Sequence, residues 1–125
     1  MRIHLKSKTE LDQMRDAGLV AAEILNDLCE AAKPGVSTGE LDQIARRGIA
    51  KHKVVSAFLG YHGYPAVVCT SINEVVVHGI PRKNEILKDG DVIGIDFGIY
   101  KHGFCADTAR TVMVGNVSDA KKQLV

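Results

Sequence analysis

Polar and apolar positions divide the chain into a helical first part and a strand-rich second part. Ser7-Lys8-Thr9-Glu10 has the form of a capping box, in which a serine hydroxyl covers a free N–H and a glutamate answers three residues later. Behind it Leu11, Met14, Leu19, Ala22, Leu25 and Leu28 recur at three- to five-residue steps and predict one apolar stripe. Lys33-Pro34-Gly35 should stop that helix. Ser37-Thr38-Gly39-Glu40 repeats the capping box ahead of Leu41, Ile44, Ala45 and Ile49, predicting a second helix within the first 53 residues. After Lys53 the pattern changes. Val54-Val55, Ala66 to Thr70 and Glu74 to His78 are short β-branched runs, and Lys88-Asp89-Gly90-Asp91 has turn chemistry. Two longer strands are expected over Val92–Tyr100 and Phe104–Val114, joined around Lys101-His102-Gly103. Val117 to Val125 reads as a capped helix just beginning. Helices followed by strands imply an α+β domain rather than alternating βαβ units.

Composition narrows the class without naming a function. A chain of 125 residues can bury roughly two-thirds of its unfolded surface as one domain. Sixteen basic residues nearly cancel 15 acidic ones, leaving a net charge of +1, so no basic stripe argues for nucleic acid or an acidic membrane. Cys29, Cys69 and Cys105 are scattered and odd in number, which suits a reducing compartment. The segment Met1-Arg2-Ile3-His4-Leu5-Lys6 is too charged for a secretory signal, and no apolar run approaches a membrane span. A cytoplasmic protein is expected. Cys69 and Cys105 are expected to be small buried hydrophobes, and His4, His52 and His102 surface residues without compelling partners.

Asp96 and Asp107 are the sharpest chemical signal, each placed in an apolar or small-residue strand. A two-residue loop at Lys101-His102 would oppose Tyr100 to Gly103 and Asp96 directly to Asp107, with Cβ atoms about 4.5–5.5 Å apart. A three-residue loop through Gly103 would shift the register by one and need a bulge to restore the shared face. Carboxylates so close repel, unless one takes a proton or a cation sits between them. Mg, Mn, Fe(II), Co or Zn would suit such oxygens, and two ions can share a bridging carboxylate. Spacing alone leaves a second reading open, a hairpin whose aspartates point to solvent. His78, between Val75-Val76-Val77 and Gly79-Ile80-Pro81, sits where a strand meets a loop and could donate to a carbonyl or oxyanion, or be merely structural. Tyr61, His62 and Tyr64, with Phe58 and Cys69 nearby, could wall an apolar pocket or simply cap the sheet.

Taken together these segments resemble the type I methionine aminopeptidases. The resemblance rests on Phe58-Leu59-Gly60-Tyr61-His62-Gly63-Tyr64-Pro65, on Cys69 through Pro81 with its Asn73-Glu74-x-Val76-x-His78-Gly79-Ile80-Pro81 core, on Asp89 through Asp96, and on Phe104-Cys105-Ala106-Asp107-Thr108. It runs from about Lys6 to the C-terminus. It implies the pita-bread fold, with this chain as its N-terminal half: one domain over residues 1–125, two helices packed on a curved antiparallel sheet. It implies that Asp96 chelates one metal, that Asp107 bridges two, and that His78 contacts substrate without being a ligand. Phe58, Tyr61, Tyr64 and Cys69 would wall the methionine pocket, with His62 at its edge. The activity implied is removal of the initiator methionine from nascent polypeptides by a dinuclear metal-activated water, with Mn, Fe(II), Co or Zn as the ions. A histidine and two glutamates that complete the family's metal set belong to a C-terminal half that the resemblance does not reach. The expectation is therefore a truncated chain supplying part of a site. It would associate with that half; the alternative is a half-domain that pairs with itself as a homodimer and binds metal or peptide without efficient catalysis. A non-catalytic peptide-binding module is the remaining alternative, against which intact Asp96, Asp107 and His78 argue.

Overall fold

The computed structural model describes residues 3–125. The reading of Met1 and Arg2 as part of a charged N-terminus lies outside them. Both capping boxes form. Ser7 caps α1 (Lys8–Ala31) and Ser37 caps α2 (Thr38–His52), and in each the glutamate three residues on bonds back to the serine N–H. The strands are β1 (Val55–Ser56), β2 (Val68–Ile72), β3 (Val92–Lys101) and β4 (Phe104–Met113), followed by the short helix α3 (Asp119–Leu124) capped by Ser118. β3 is central. Antiparallel β4 covers one edge along its whole length, while β1 and β2 follow one another along the other.

Alternation along β3 separates core from site. Ile93, Ile95, Phe97 and Ile99 are fully buried and face α1 and α2, where they join Val20, Ile24, Leu25, Leu28 and Leu41. Gly94, Asp96, Gly98 and Tyr100 point to the opposite face. Arg110 of β4 donates to Asn26 of α1 at 2.8 Å, fastening the helix layer to the sheet. Replacing Ser37 with alanine leaves Glu40 N–H uncapped and is expected to cost about 1 kcal/mol, read as a lowered urea midpoint.

Several expectations are corrected. The buried stripe of α1 is Ala17, Val20, Ala21, Ile24, Leu25 and Leu28, whereas Leu11, Met14, Leu19 and Ala22 are exposed. The sheet meets α1 at Asp16, which binds Lys101 and His102 of the hairpin, so the helix turns before it extend past any apolar surface. The five-residue step from Met14 to Leu19 also swings off the stripe, because each residue turns the helix by about 100°. Glu74 to His78 is a loop rather than a strand. Its valines are exposed, and it meets β2 through separate bonds and not a strand ladder: Val75 N–H to Ile72 O at its start, and Thr70 N–H to Gly79 O just past its end. His102 and His52 do have partners, their Nε2 atoms lying 2.7 Å from Asp16 and 3.3 Å from Glu23. Cys69 is buried as expected, but Cys105 is exposed, because it shares the solvent-facing side of β4 with Asp107.

Candidate active site

The hairpin turn fixes where the two aspartates stand. Its loop is His102-Gly103, both at positive φ (55° and 79°), the conformation a type I′ turn requires and glycine adopts without strain. Lys101 therefore opposes Phe104, Asp96 opposes Ala109, and Asp107 opposes Gly98. The expected Tyr100–Gly103 and Asp96–Asp107 pairings are thus overturned. Sliding a two-residue loop by one position moves the register by two, so both carboxylates stay on one face as diagonal neighbours, with backbones roughly 7–8 Å apart.

Three further elements bring side chains to that face. β2 sets Cys69 opposite Asp96. Gly98 has no Cβ, and one added there would lie 2.7 Å from the Phe58 ring, so this glycine is the gap through which Phe58 lies against the sheet beside Asp107. The segment after Phe58 closes as a 3-10 turn over Tyr61–Gly63. Phe58 and Tyr64 meet edge to face with ring centres 6.4 Å apart, and Tyr61 and His62 do so at 4.4 Å. Asp42 of α2 anchors the stretch from Pro65 to Val67 that leads into β2. It is buried, accepts from Val67 N–H at 2.8 Å and pairs with Arg46 at 2.7 Å, while Arg46 reaches Pro65 O.

The result is a cleft of about 620 Å³. Every residue singled out from the sequence lines it: Asp96, Asp107 and His78 on the polar side, Phe58, Tyr64 and Cys69 on the apolar wall, Tyr61 and His62 towards the opening. Gly63, Pro65 and Ile80 line it as well and were not assigned to the site. They lie inside the motifs that carry the family resemblance, so motif membership was the available signal. Asp42 was missed too. Its i, i+4 spacing to Arg46 is readable on a helix, but its grip on Val67 depends on tertiary contact.

Burial, and then the charge and contact of Asp107, push the Asp96 carboxyl above the ordinary range, with His78 partly opposing. Neither aspartate has a lysine or arginine partner among the described residues. Burial also raises the Tyr64 phenol and the Cys69 thiol, and the Asp96 charge raises both further. Cys69 is therefore a neutral wall residue, not an activated nucleophile. Two hard oxygen donors side by side without a lysine or arginine partner fit a divalent metal in charge and ligand type. Among the described residues no group of three or more histidine, cysteine, aspartate or glutamate side chains forms a complete metal cage.

An α+β fold that sets paired carboxylates and a histidine into an apolar-walled cleft defines a protein with a candidate divalent-metal cleft. Residues 12–125 match the model of metallopeptidase family M24, and the chain belongs to that family. It is 51% identical over 116 residues to a methionine aminopeptidase of Escherichia coli, covering 92% of this chain and 44% of that protein. To one of Clostridium acetobutylicum it is 46% identical over 123 residues, covering 98% and 49%. A crystal structure of methionine aminopeptidase from Rickettsia prowazekii superposes with a TM-score of 0.95 at 38% identity, covering 99% of this chain and 50% of that one. The fold is thus the pita-bread fold of these enzymes, and the chain spans about half the length of the curated relatives it matches.

Proposed function

We propose that this chain supplies the N-terminal half of a methionine aminopeptidase site. The observation that carries the reading is the convergence of Asp96, Asp107 and His78 with the Phe58–Tyr64–Cys69 wall in one cleft. Asp96 and Asp107 would hold two divalent ions, Mn, Fe(II), Co or Zn, which when bound supply polarisation of the first peptide carbonyl and a nucleophilic water at neutral pH. Phe58, Tyr61, Tyr64 and Cys69 would receive the methionine side chain, with His62 at the rim. His78 would donate to the carbonyl oxygen as it gains negative charge. The substrate is a nascent polypeptide beginning with methionine and a small residue, met in the cytoplasm. No helix among the described residues is long and apolar enough to cross a membrane.

Two carboxylates are fewer donors than the four to six such ions take, so further ligands complete the set. The outer edge of β4 has no strand partner among the described residues, which supports docking of a C-terminal half, or of a second copy, along the sheet. The test is release of free methionine from a Met-Ala-Ser peptide with Mn²⁺ or Co²⁺, by the chain alone and mixed with the C-terminal half of the Escherichia coli relative. Release in the mixed sample that Asp96→Asn abolishes is the expected result. Release that survives Asp96→Asn in every sample defeats the reading. Release by the chain alone, rising with the square of its concentration, would favour the homodimer.

A further inference from the structure

His78 occupies an unusual place for a residue that must be aimed. It lies in an exposed loop, and its backbone is left-handed at φ 58°, which a residue with a Cβ holds only when its surroundings impose it. Val75, Val76 and Val77 before it are exposed and give it no packing support. What holds it is the next residue. The N–H of Gly79, which belongs to the His78–Gly79 peptide unit, donates to Ser71 Oγ at 3.1 Å. The Gly79 carbonyl accepts from Thr70 N–H at 2.8 Å and from the Tyr64 hydroxyl at 3.2 Å. The single Tyr64 proton is shared with Val68 O at 3.0 Å, so the phenol bridges β2 and the histidine loop. Gly79 is pressed so close to β2 that a Cβ there would lie 2.7 Å from the Thr70 carbonyl carbon and 3.0 Å from Ser71 Cα.

We infer that Ser71 and Tyr64 are positioning residues for His78, their hydroxyls clamping the two sides of Gly79 so that the imidazole is held in the cleft before substrate arrives. The inference deepens the aminopeptidase reading and rests on it, since only there does His78 meet a reacting carbonyl. Tyr64 then has two roles in different atoms: its ring walls the pocket and its oxygen fixes the histidine loop. Ser71 does not line that cleft. It lies one strand position past Thr70, with its side chain on the site face opposite Gly94, where no Cβ crowds it. Preorganisation of this kind matters because a group misplaced by about 1 Å can cost on the order of a hundredfold in rate.

The clamp is tested on the whole metal-free chain by nuclear magnetic resonance at one fixed pH, so that no turnover is read. Two signals are followed: exchange of the Gly79 amide with solvent, and the His78 Cε1–Hε1 cross peak, assigned by its loss in His78→Gln. Ser71→Ala is expected to speed Gly79 exchange by roughly tenfold, as loss of one hydrogen bond implies. It should also move the His78 peak towards its position in an unstructured peptide. Tyr64→Phe keeps the ring and should move the same peak in the same direction, and Ser71→Thr should restore it. Ser37→Ala, which weakens a distant helix cap, should leave the peak in place. A His78 peak unmoved in both Ser71→Ala and Tyr64→Phe overturns the inference, whether or not Gly79 exchange rises. So does a peak still displaced in Ser71→Thr, which would assign the effect to side-chain shape. Failure here would leave the aminopeptidase reading intact, and failure of the peptide assay would leave the clamp intact.

Discussion

Adding Mn²⁺ or Co²⁺ to this chain is expected to raise its melting temperature, and Asp96→Asn or Asp107→Asn is expected to abolish that rise. The folded cleft presents two carboxylates to one space with no lysine or arginine partner among the described residues, and the unfolded chain does not. Metal should therefore bind the folded form preferentially and stabilise it by mass action, about 2.7 kcal/mol at a hundred times the dissociation constant. For a domain of this size that is a shift of roughly 10 °C. An asparagine keeps the shape of either aspartate while removing one charge, so the metal increment disappears. Without metal the same substitution removes a like-charge contact, and the melting temperature should hold or rise. This double signature separates a metal site from a structural one. A structural aspartate would lower the metal-free melting temperature when replaced, as Asp42 should, because its carboxylate accepts a buried N–H and pairs with Arg46. A metal-induced rise of undiminished size in both asparagine variants would remove Asp96 and Asp107 from the metal site.

How far this site could be read from the sequence depends on which interactions are local. Capping boxes are contained in four consecutive residues, so Ser7–Glu10 and Ser37–Glu40 were legible and both form. The alternation Ile93-x-Ile95-x-Phe97-x-Ile99 likewise announced a strand with one buried face. Same-face placement of Asp96 and Asp107 survived an error in the loop because strand side chains repeat every two residues. Their exact pairing did not survive, since it depends on which residues take positive φ, and Gly103 made His102-Gly103 the better turn. The β-branched run Val75-Val76-Val77 misled for a different reason. Propensity describes a residue that fits a pleated surface, and these valines turn to solvent beside β2 instead of pairing along its edge. The exposed apolar residues of α1 show the same limit, because periodicity says which residues share a face but not where the sheet beneath them ends. The loop candidates His78, Tyr61, His62 and Tyr64 stand out by their place beside glycine-bounded turns, and only the family resemblance attaches roles to them. The groups that aim them, Asp42, Ser71 and Gly98, act through contacts between segments far apart in sequence, which no local pattern encodes.

Phe97→Ala should be the most damaging single substitution for the fold, and its comparison with Asp96→Asn tests the alternation on which the site depends. Phe97 is fully buried on the helix-facing side of β3, among Ile95, Ile99 and the α1 residues Ile24 and Leu28. Truncating it removes the ring's transfer energy and leaves a cavity, a loss of about 3–5 kcal/mol. Against a total stability of about 5–15 kcal/mol that is about a fifth or more, and the urea midpoint should fall by roughly 2 M. Asp96, one residue earlier, points the other way, so Asp96→Asn should leave the midpoint at or above that of the parent chain. Val76→Ser, in a side chain 88% exposed, should change stability by no more than about 0.5 kcal/mol. If Phe97→Ala cost less than about 1 kcal/mol, the helices would not be packed on that face of β3. The placement of Asp96 on the opposite face would then lose its structural basis, because the two side chains are held apart by the same pleat.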